Sequence, residues 1–75
     1  MQADVELDAI GLLCPLPVLK ARKRLKSMAS GQVLCLLATD PAAMVDVPHF
    51  CAETGHIFLH SEERDAATAY YIRHA

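Results

Sequence analysis

The sequence predicts a two-layer α/β sandwich in which two helices pack on one face of a four-stranded mixed sheet. Three observations support this fold class. The hydrophobic patterns follow one another in the order β-α-β-α-β-β. One nearly continuous apolar run, residues 32–39, separates the two helical segments. The composition, 53% hydrophobic and 21% charged, is that of a compact globular protein. We therefore expect residues 1–75 to form a single domain.

The first strand and the start of the first helix are marked by a change of pattern. Residues 4–8 alternate acidic and apolar side chains, which is the period of a short strand with one solvent-facing side. Gly11 then allows a turn. Pro15 and Pro17 suit the first turn of a helix, where a missing N–H group costs little. We therefore expect the first helix to begin at or just after Cys14.

The first helix is predicted to be amphipathic and strongly basic. Its apolar residues recur at steps of three and four from Val18 to Met28, so that one face can pack on the sheet. Gly31 stands at a plausible position just beyond the end of the helix. Most other positions of the helix hold Lys or Arg, namely Lys20, Arg22, Lys23, Arg24 and Lys26.

Two aspartate-proline arrangements predict the start of the second helix. Asp40-Pro41 places a capping side chain before a proline that suits the first helical position, and Asp46-Val47-Pro48 repeats this arrangement. We therefore expect the helix to begin twice, as a short turn over 42–44 and then as a helix over 47–54. Gly55 is expected to end it.

The remaining apolar segments predict the other three strands. The run at 32–39 is typical of an interior strand that is covered on both faces. Residues 56–61 and 68–73 are rich in aromatic and β-branched side chains and predict a pair of strands. The charged residues 62–65 between them predict a turn.

Charge and hydropathy exclude several classes of function. A net charge of −2 argues against a general nucleic-acid-binding protein. The first residues are acidic where a secretory leader needs bases, and no apolar run approaches the roughly 20 residues of a membrane span. We expect a cytoplasmic protein. Metal binding is not expected either, because no pair of histidines has the i, i+4 spacing on a predicted helix.

The three cysteines require separate explanations, because Cys14, Cys35 and Cys51 lack the paired spacing of a zinc or disulfide-exchange motif. Cys14 lies at a predicted helix N-terminus, where free N–H groups and the helix dipole favour a thiolate and so predict easier ionisation. Burial as a small apolar residue explains Cys14 equally well from position alone. Cys35 and Cys51 are expected to be buried structural residues.

Residues 8–17, with the core Cys14-Pro15-Leu16-Pro17, and a second block within 40–56 resemble the TusA-like, also called SirA-like, family of small sulfur carriers. The first block is Asp8-Ala9-Ile10-Gly11-Leu12-Leu13-Cys14-Pro15-Leu16-Pro17, which contains the Cys-Pro-x-Pro core that is the hallmark of the family. The second consists of Asp40-Pro41-Ala42, Asp46-Val47-Pro48, Phe50-Cys51 and Gly55-His56. The resemblance spans nearly the whole chain.

This resemblance implies a function for Cys14. The matching cysteine of the family accepts sulfane sulfur as a persulfide and passes it on, as a sulfurtransferase-type carrier rather than a free-standing turnover enzyme. The implied partners are a sulfur-donor protein, such as a cysteine desulfurase or a rhodanese-like protein, and a sulfur-acceptor protein, in transient complexes. Family members serve transfer-RNA thiolation, cofactor assembly and sulfur oxidation. No bound cofactor is implied, and Gly11, Pro15 and Pro17 are expected to shape the motif.

The side chains near Cys14 suggest how a partner docks. Leu13 and Leu16 stand where some carriers have Arg and Glu, so the immediate rim of the site is expected to be apolar. The basic positions of the first helix are expected to steer a partner by long-range attraction. Direct nucleic-acid binding is not expected, because no aromatic side chain accompanies the basic cluster.

Two alternative functions fit the same residues. The chain could be a non-catalytic binding module that docks through its basic first helix, with Cys14 inert. It could also be a thiol redox switch, if Cys51 approaches Cys14 in space. An alkylation rate that rises only near the ordinary thiol pKa would favour the binding module.

Overall fold

The fold is the predicted sandwich. A computed structural model describes residues 2–75, and in it the elements follow the order β-α-β-α-β-β. Their bounds are β1 Val5–Ala9, α1 Leu16–Leu25, β2 Val33–Ala38, α2 Ala43–Thr54, β3 Ile57–Arg64 and β4 Ala67–Arg73. The strands form one mixed sheet in the order β1-β2-β4-β3, in which β1 and β2 are parallel and β4 is antiparallel to both of its neighbours.

The main core lies between the two helices and one face of the sheet. Leu25 of α1 and Val47 of α2 are fully buried there against Leu34 and Leu36 of β2 and Ile72 of β4. Burial of each of these side chains contributes about 1.5–3 kcal/mol, so this layer supplies most of the stabilisation. Among residues 2–75, no helix is long and apolar enough to cross a membrane.

The opposite face of β2 is covered by side chains of the sheet itself, whereas the sequence predicts a second covering layer. Cys35 and Tyr71 are buried on this face without a helix residue in their cluster. The guanidinium of Arg64 lies over them, donating to the Tyr71 hydroxyl at 2.7 Å and to Glu6 at 2.9 Å, with Cys35 Sγ at 3.8 Å. The Arg64 side chain from β3 thus helps to shield the middle of the sheet, together with Leu59 and His60 of the same strand.

Helix α1 ends earlier than its apolar periodicity predicts. Its last residue is Leu25, and the Ser27 hydroxyl then donates to the Arg24 carbonyl at 2.8 Å. A serine side chain that bonds to the backbone competes with further helical turns. Met28 is still buried, but in the following turn, and Gly31, with φ of 89°, lies just before β2 rather than at the helix end.

Helix α2 begins once, so the predicted second start at Asp46-Val47-Pro48 is wrong. Asp46 lies in the first turn and Pro48 lies inside the helix. Pro48 cannot donate to the carbonyl four residues before it, which normally weakens a helix. The helix continues because Val47 and Phe50 bury their side chains in the core, and tertiary packing outweighs the local preference. Gly55, with φ of 83°, ends the helix as predicted.

The hairpin between β3 and β4 is also tighter than predicted. Strand β3 extends to Arg64, so most of the predicted charged turn belongs to the strand. Only Asp65 and Ala66 form the turn, and Arg64 pairs with Ala67 across it. Asp65 adopts a left-handed φ of 57°, which aspartate tolerates better than most residues.

Candidate functional site

The parallel pairing of β1 and β2 brings the starts of both helices to one edge of the sheet. Helix α1 follows β1 and α2 follows β2, so the loops after the two strands lie side by side. The Gly11 N–H group donates to Thr39 Oγ1 at 2.9 Å across these loops. Gly11 has a φ of 82°, which requires the conformational freedom of glycine.

Asp40 joins Cys14 to the start of α2. Its Oδ2 atom accepts the Cys14 N–H group at 2.6 Å, and its Oδ1 atom accepts the Ala42 N–H group at 3.0 Å. The sequence predicts Asp40 as a helix cap only. Its contact with Cys14 depends on the pairing of β1 with β2, and the Asp40-Pro41 motif alone gives no signal of it.

Cys14 lies at the mouth of an open cavity of about 230 Å³ between α1 and α2. The thiol is exposed, the following peptide bond to Pro15 is cis, and Pro17 is buried. Apolar and charged side chains share the walls of this cavity. They are Pro15, Val18, Leu19, Arg22, Asp46, His49, Phe50 and Glu53.

The electrostatic environment opposes ionisation of Cys14. Hydrogen bonding with the Asp46 side chain raises the pKa of the thiol above its ordinary value, and partial desolvation and the negative charges of Asp46 and Asp40 raise it further. The helix N-terminus alone predicts easier ionisation, and that prediction is wrong here. Two carboxylates, Asp40 and Asp46, already lie at the start of α2 beside Cys14, so a thiolate would add a third negative charge.

Exposed apolar side chains, here called the apolar rim, lie beside Cys14 in the chain and in the first turns of both helices. Leu13 and Leu16, the two residues predicted for it, are 69% and 49% exposed. The structure adds Leu19 on α1, and Met44 and Val45 on α2, which are exposed as well. The sequence prediction missed Met44 and Val45 because it placed residues 42–44 in a turn and began the helix after them. Five exposed apolar side chains at one end of a small protein are typical of a docking surface.

The basic residues of α1 do not form one patch. Arg22 lines the cavity that holds Cys14. Lys20 donates to the Asp8 carbonyl at 2.7 Å and shares a second groove with Lys23 and Arg24, beside β1. Lys26 lies at the opposite end of the helix from Cys14. Only Arg22 is therefore placed to contact a group bound at the thiol.

The other candidate residues lie away from this cavity. Cys35 and Cys51 are buried, and burial raises the pKa of the Cys51 thiol to about 11. Cys51 is buried in the main core and does not line the Cys14 cavity, whereas the redox-switch alternative requires it beside Cys14. Residues 2–75 contain no group of three or more His, Cys, Asp or Glu side chains placed to hold a metal ion.

The fold and the site together define a class of protein. It is a small α/β sandwich that presents one exposed cysteine at the start of its first helix, within an apolar rim. The sequence profile described as "Sulfurtransferase TusA" matches residues 5–74. The chain belongs to the TusA family.

Relatives with established names and a solved structure agree with this assignment. The chain is 46% identical over 70 residues to sulfur carrier protein TusA of Allochromatium vinosum, covering 93% of this chain and 92% of that protein. It is 43% identical over 70 residues to sulfur carrier protein TusA of Pseudomonas entomophila, with coverage of 93% and 88%. The crystal structure of a SirA-like protein from Desulfitobacterium hafniense has the same fold, with a TM-score of 0.81 at 24% identity over 92% of this chain and 95% of that one.

Proposed function

We propose that this chain is a sulfur carrier that holds sulfane sulfur as a persulfide on Cys14. The Cys14 sulfur attacks the outer sulfur of a donor persulfide, R–S–SH. The S–S bond of the donor breaks, a new S–S bond forms on Cys14, and the donor leaves as R–SH. An acceptor thiol then attacks the outer sulfur of Cys14–S–SH in the same way, and Cys14 returns to its thiol form. Two thiols exchange one sulfur atom, so no external oxidant or reductant is needed.

The observation that carries this proposal is the position of Cys14. Among the cysteines, it alone is exposed, and it stands at the mouth of a cavity rather than within the core. A persulfide must meet a sulfur atom of another protein, so the bearing residue has to be accessible and fixed in place. Asp40 fixes the Cys14 backbone through its N–H group. The relatives named as sulfur carriers support the same role.

The partners that this role requires are a sulfur-donor protein and a sulfur-acceptor protein. A cysteine desulfurase or a rhodanese-like protein has the chemistry of the donor. We propose that each docks transiently on the apolar rim, with Leu13 and Leu16 in contact and Arg22 placed to meet an acidic group. The other basic residues, Lys20, Lys23, Arg24 and Lys26, are expected to act by long-range steering that weakens with salt.

The proposal is tested by mass spectrometry after incubation with a small-molecule persulfide donor. The intact protein should gain the mass of one sulfur atom, and peptide mapping should place it on Cys14. Cys14→Ser should gain none, whereas the matched variant Cys35→Ala should gain sulfur as the parent does. A parent protein without the adduct, or an adduct that persists in Cys14→Ser, would refute the proposal.

A further inference from the structure

The α2 wall of the cavity places a carboxylate beside the thiol. Asp46 lies in the first turn of α2, partly buried, and lines the same cavity as Cys14. Its side chain is the largest cause of the raised pKa of the Cys14 thiol. Asp46 is therefore the carboxylate of this cavity wall that interacts most strongly with the atom that bears the sulfur.

Sulfur transfer through Cys14 requires a proton to move twice. When sulfur arrives, the Cys14 S–H bond must break as the new S–S bond forms. When sulfur departs, Cys14 leaves as a thiolate unless a proton reaches it. A thiol that resists ionisation is a strong nucleophile once deprotonated and a poor leaving group unless it is protonated. A nearby group that accepts and returns one proton would assist both steps.

We propose that the Asp46 carboxylate accepts the Cys14 proton as sulfur arrives and delivers a proton to Cys14 as sulfur leaves, a role that rests on the proposed carrier function. In the first step the Cys14 sulfur bonds to the outer donor sulfur, the donor S–S bond breaks, and the S–H proton passes to Asp46. That proton then protonates the departing donor thiolate. In the second step the acceptor thiol attacks the outer sulfur, its S–H proton passes to Asp46, and Asp46 gives that proton to the departing Cys14 thiolate. Because a carboxylate is a weaker base than a thiolate, the proton moves as the S–S bond changes, not beforehand.

The other charged groups near the thiol are less well placed for this task. Both oxygens of Asp40 already accept backbone N–H groups, from Cys14 and from Ala42. His49 lines the cavity, but its Nε2 atom lies 3.3 Å from Glu53 on the solvent-facing side of α2. Arg22 is always protonated and cannot accept a proton. His49 is the strongest rival and provides the control.

The test measures two rates in Asp46→Asn that should change in opposite directions. Loss of the negative charge should increase iodoacetamide alkylation of Cys14 at pH 7 by about three- to tenfold, because the thiolate becomes more populated. Sulfur transfer from a small-molecule persulfide, followed in a single turnover, should slow by at least about tenfold because the proton acceptor is lost. A purely structural role for Asp46 would move both rates in the same direction.

Three control variants complete the experiment. Asp46→Glu keeps a carboxylate and should retain part of the parent transfer rate. Asp46→Ser removes the carboxylate, but serine suits the first turn of a helix, so this variant should behave as Asp46→Asn does. His49→Gln, on the same cavity wall, should slow transfer less than Asp46→Asn does. Unchanged transfer in Asp46→Asn, or a larger loss in His49→Gln, would overturn the assignment of Asp46. A parent protein that never acquires sulfur on Cys14 would instead overturn the proposed function.

Discussion

Replacement of Asp40 by alanine tests how much the hydrogen bonds that join the Cys14 loop to the start of α2 contribute to stability. The carboxylate of Asp40 accepts two N–H groups, one from exposed Cys14 at 2.6 Å and one from the partly buried turn at Ala42 at 3.0 Å. A hydrogen bond to a charged group contributes about 1.5–3 kcal/mol when shielded, and about half of that where water can replace the acceptor. Asp40→Ala should therefore lower the free energy of unfolding by about 2–3 kcal/mol. For a domain of this size, that corresponds to a fall in Tm of roughly 10–20 °C.

The measurement is urea unfolding followed by circular dichroism, with thermal unfolding alongside. Asp40→Asn keeps one acceptor oxygen and should lose about half as much stability. Glu63→Ala, an exposed change on β3, should stay within about 0.5 kcal/mol of the parent. If Asp40→Ala unfolds within about 0.5 kcal/mol of the parent protein, the carboxylate does not hold the two helix starts together and the reasoning fails.

Three further predictions concern the core, the covered cysteine and pH. Leu25→Ala should cost about 2–5 kcal/mol in urea unfolding because Leu25 is fully buried, whereas exposed Leu13→Ala should cost under about 0.5 kcal/mol; equal losses would contradict the burial argument. Arg64→Ala should increase labelling of native Cys35 by a thiol reagent at least about fivefold, because the guanidinium covers that thiol; an unchanged labelling rate would show that other atoms protect it. The pKa of His56 is lowered, first by burial and second by the charge of His74. Below about pH 6.5 the unfolded chain therefore binds more protons at this residue than the folded chain does. The free energy of unfolding should fall as the pH drops below about 6.5. Between pH 7.5 and pH 5.5 the urea midpoint should fall less in His56→Asn than in the parent protein. An equal fall in both would show that His56 does not cause the pH dependence of stability.

Hydrophobic periodicity was sufficient to predict the order of all six elements and the placement of both helices on one face. This success has a physical reason: each element buries a regular stripe of its own residues, such as the run that includes Leu34 and Leu36 in β2. A local pattern of this kind does not depend on which strands pair. The Cys-Pro-x-Pro motif likewise placed Cys14 at the start of α1, because proline restricts the backbone directly.

Element boundaries were predicted less well, because tertiary contacts override local preferences there. Pro48 favours a helix start, yet α2 continues through it since Val47 and Phe50 are buried on the same helix. Arg64 reads as part of a charged turn, yet it belongs to β3, where it reaches Glu6 on the far edge strand. The core contacts of α2 and the pairing of Arg64 with Glu6 depend on the order of the strands, which the local sequence pattern does not give.

The ionisation of Cys14 was the main feature that the sequence could not predict, and the reason lies in how the fold places charge. Parallel strands β1 and β2 bring two helix N-termini together. Asp40 and Asp46 lie at the start of α2, where a carboxylate stabilises a helix by about 0.3–1 kcal/mol. The same negative charges raise the pKa of the Cys14 thiol. The groups that stabilise the start of α2 therefore oppose the thiolate. The thiolate is the form of cysteine that oxidises readily, so a Cys14 thiol that is held protonated resists oxidation between transfers. It becomes reactive only when a neighbouring group accepts its proton.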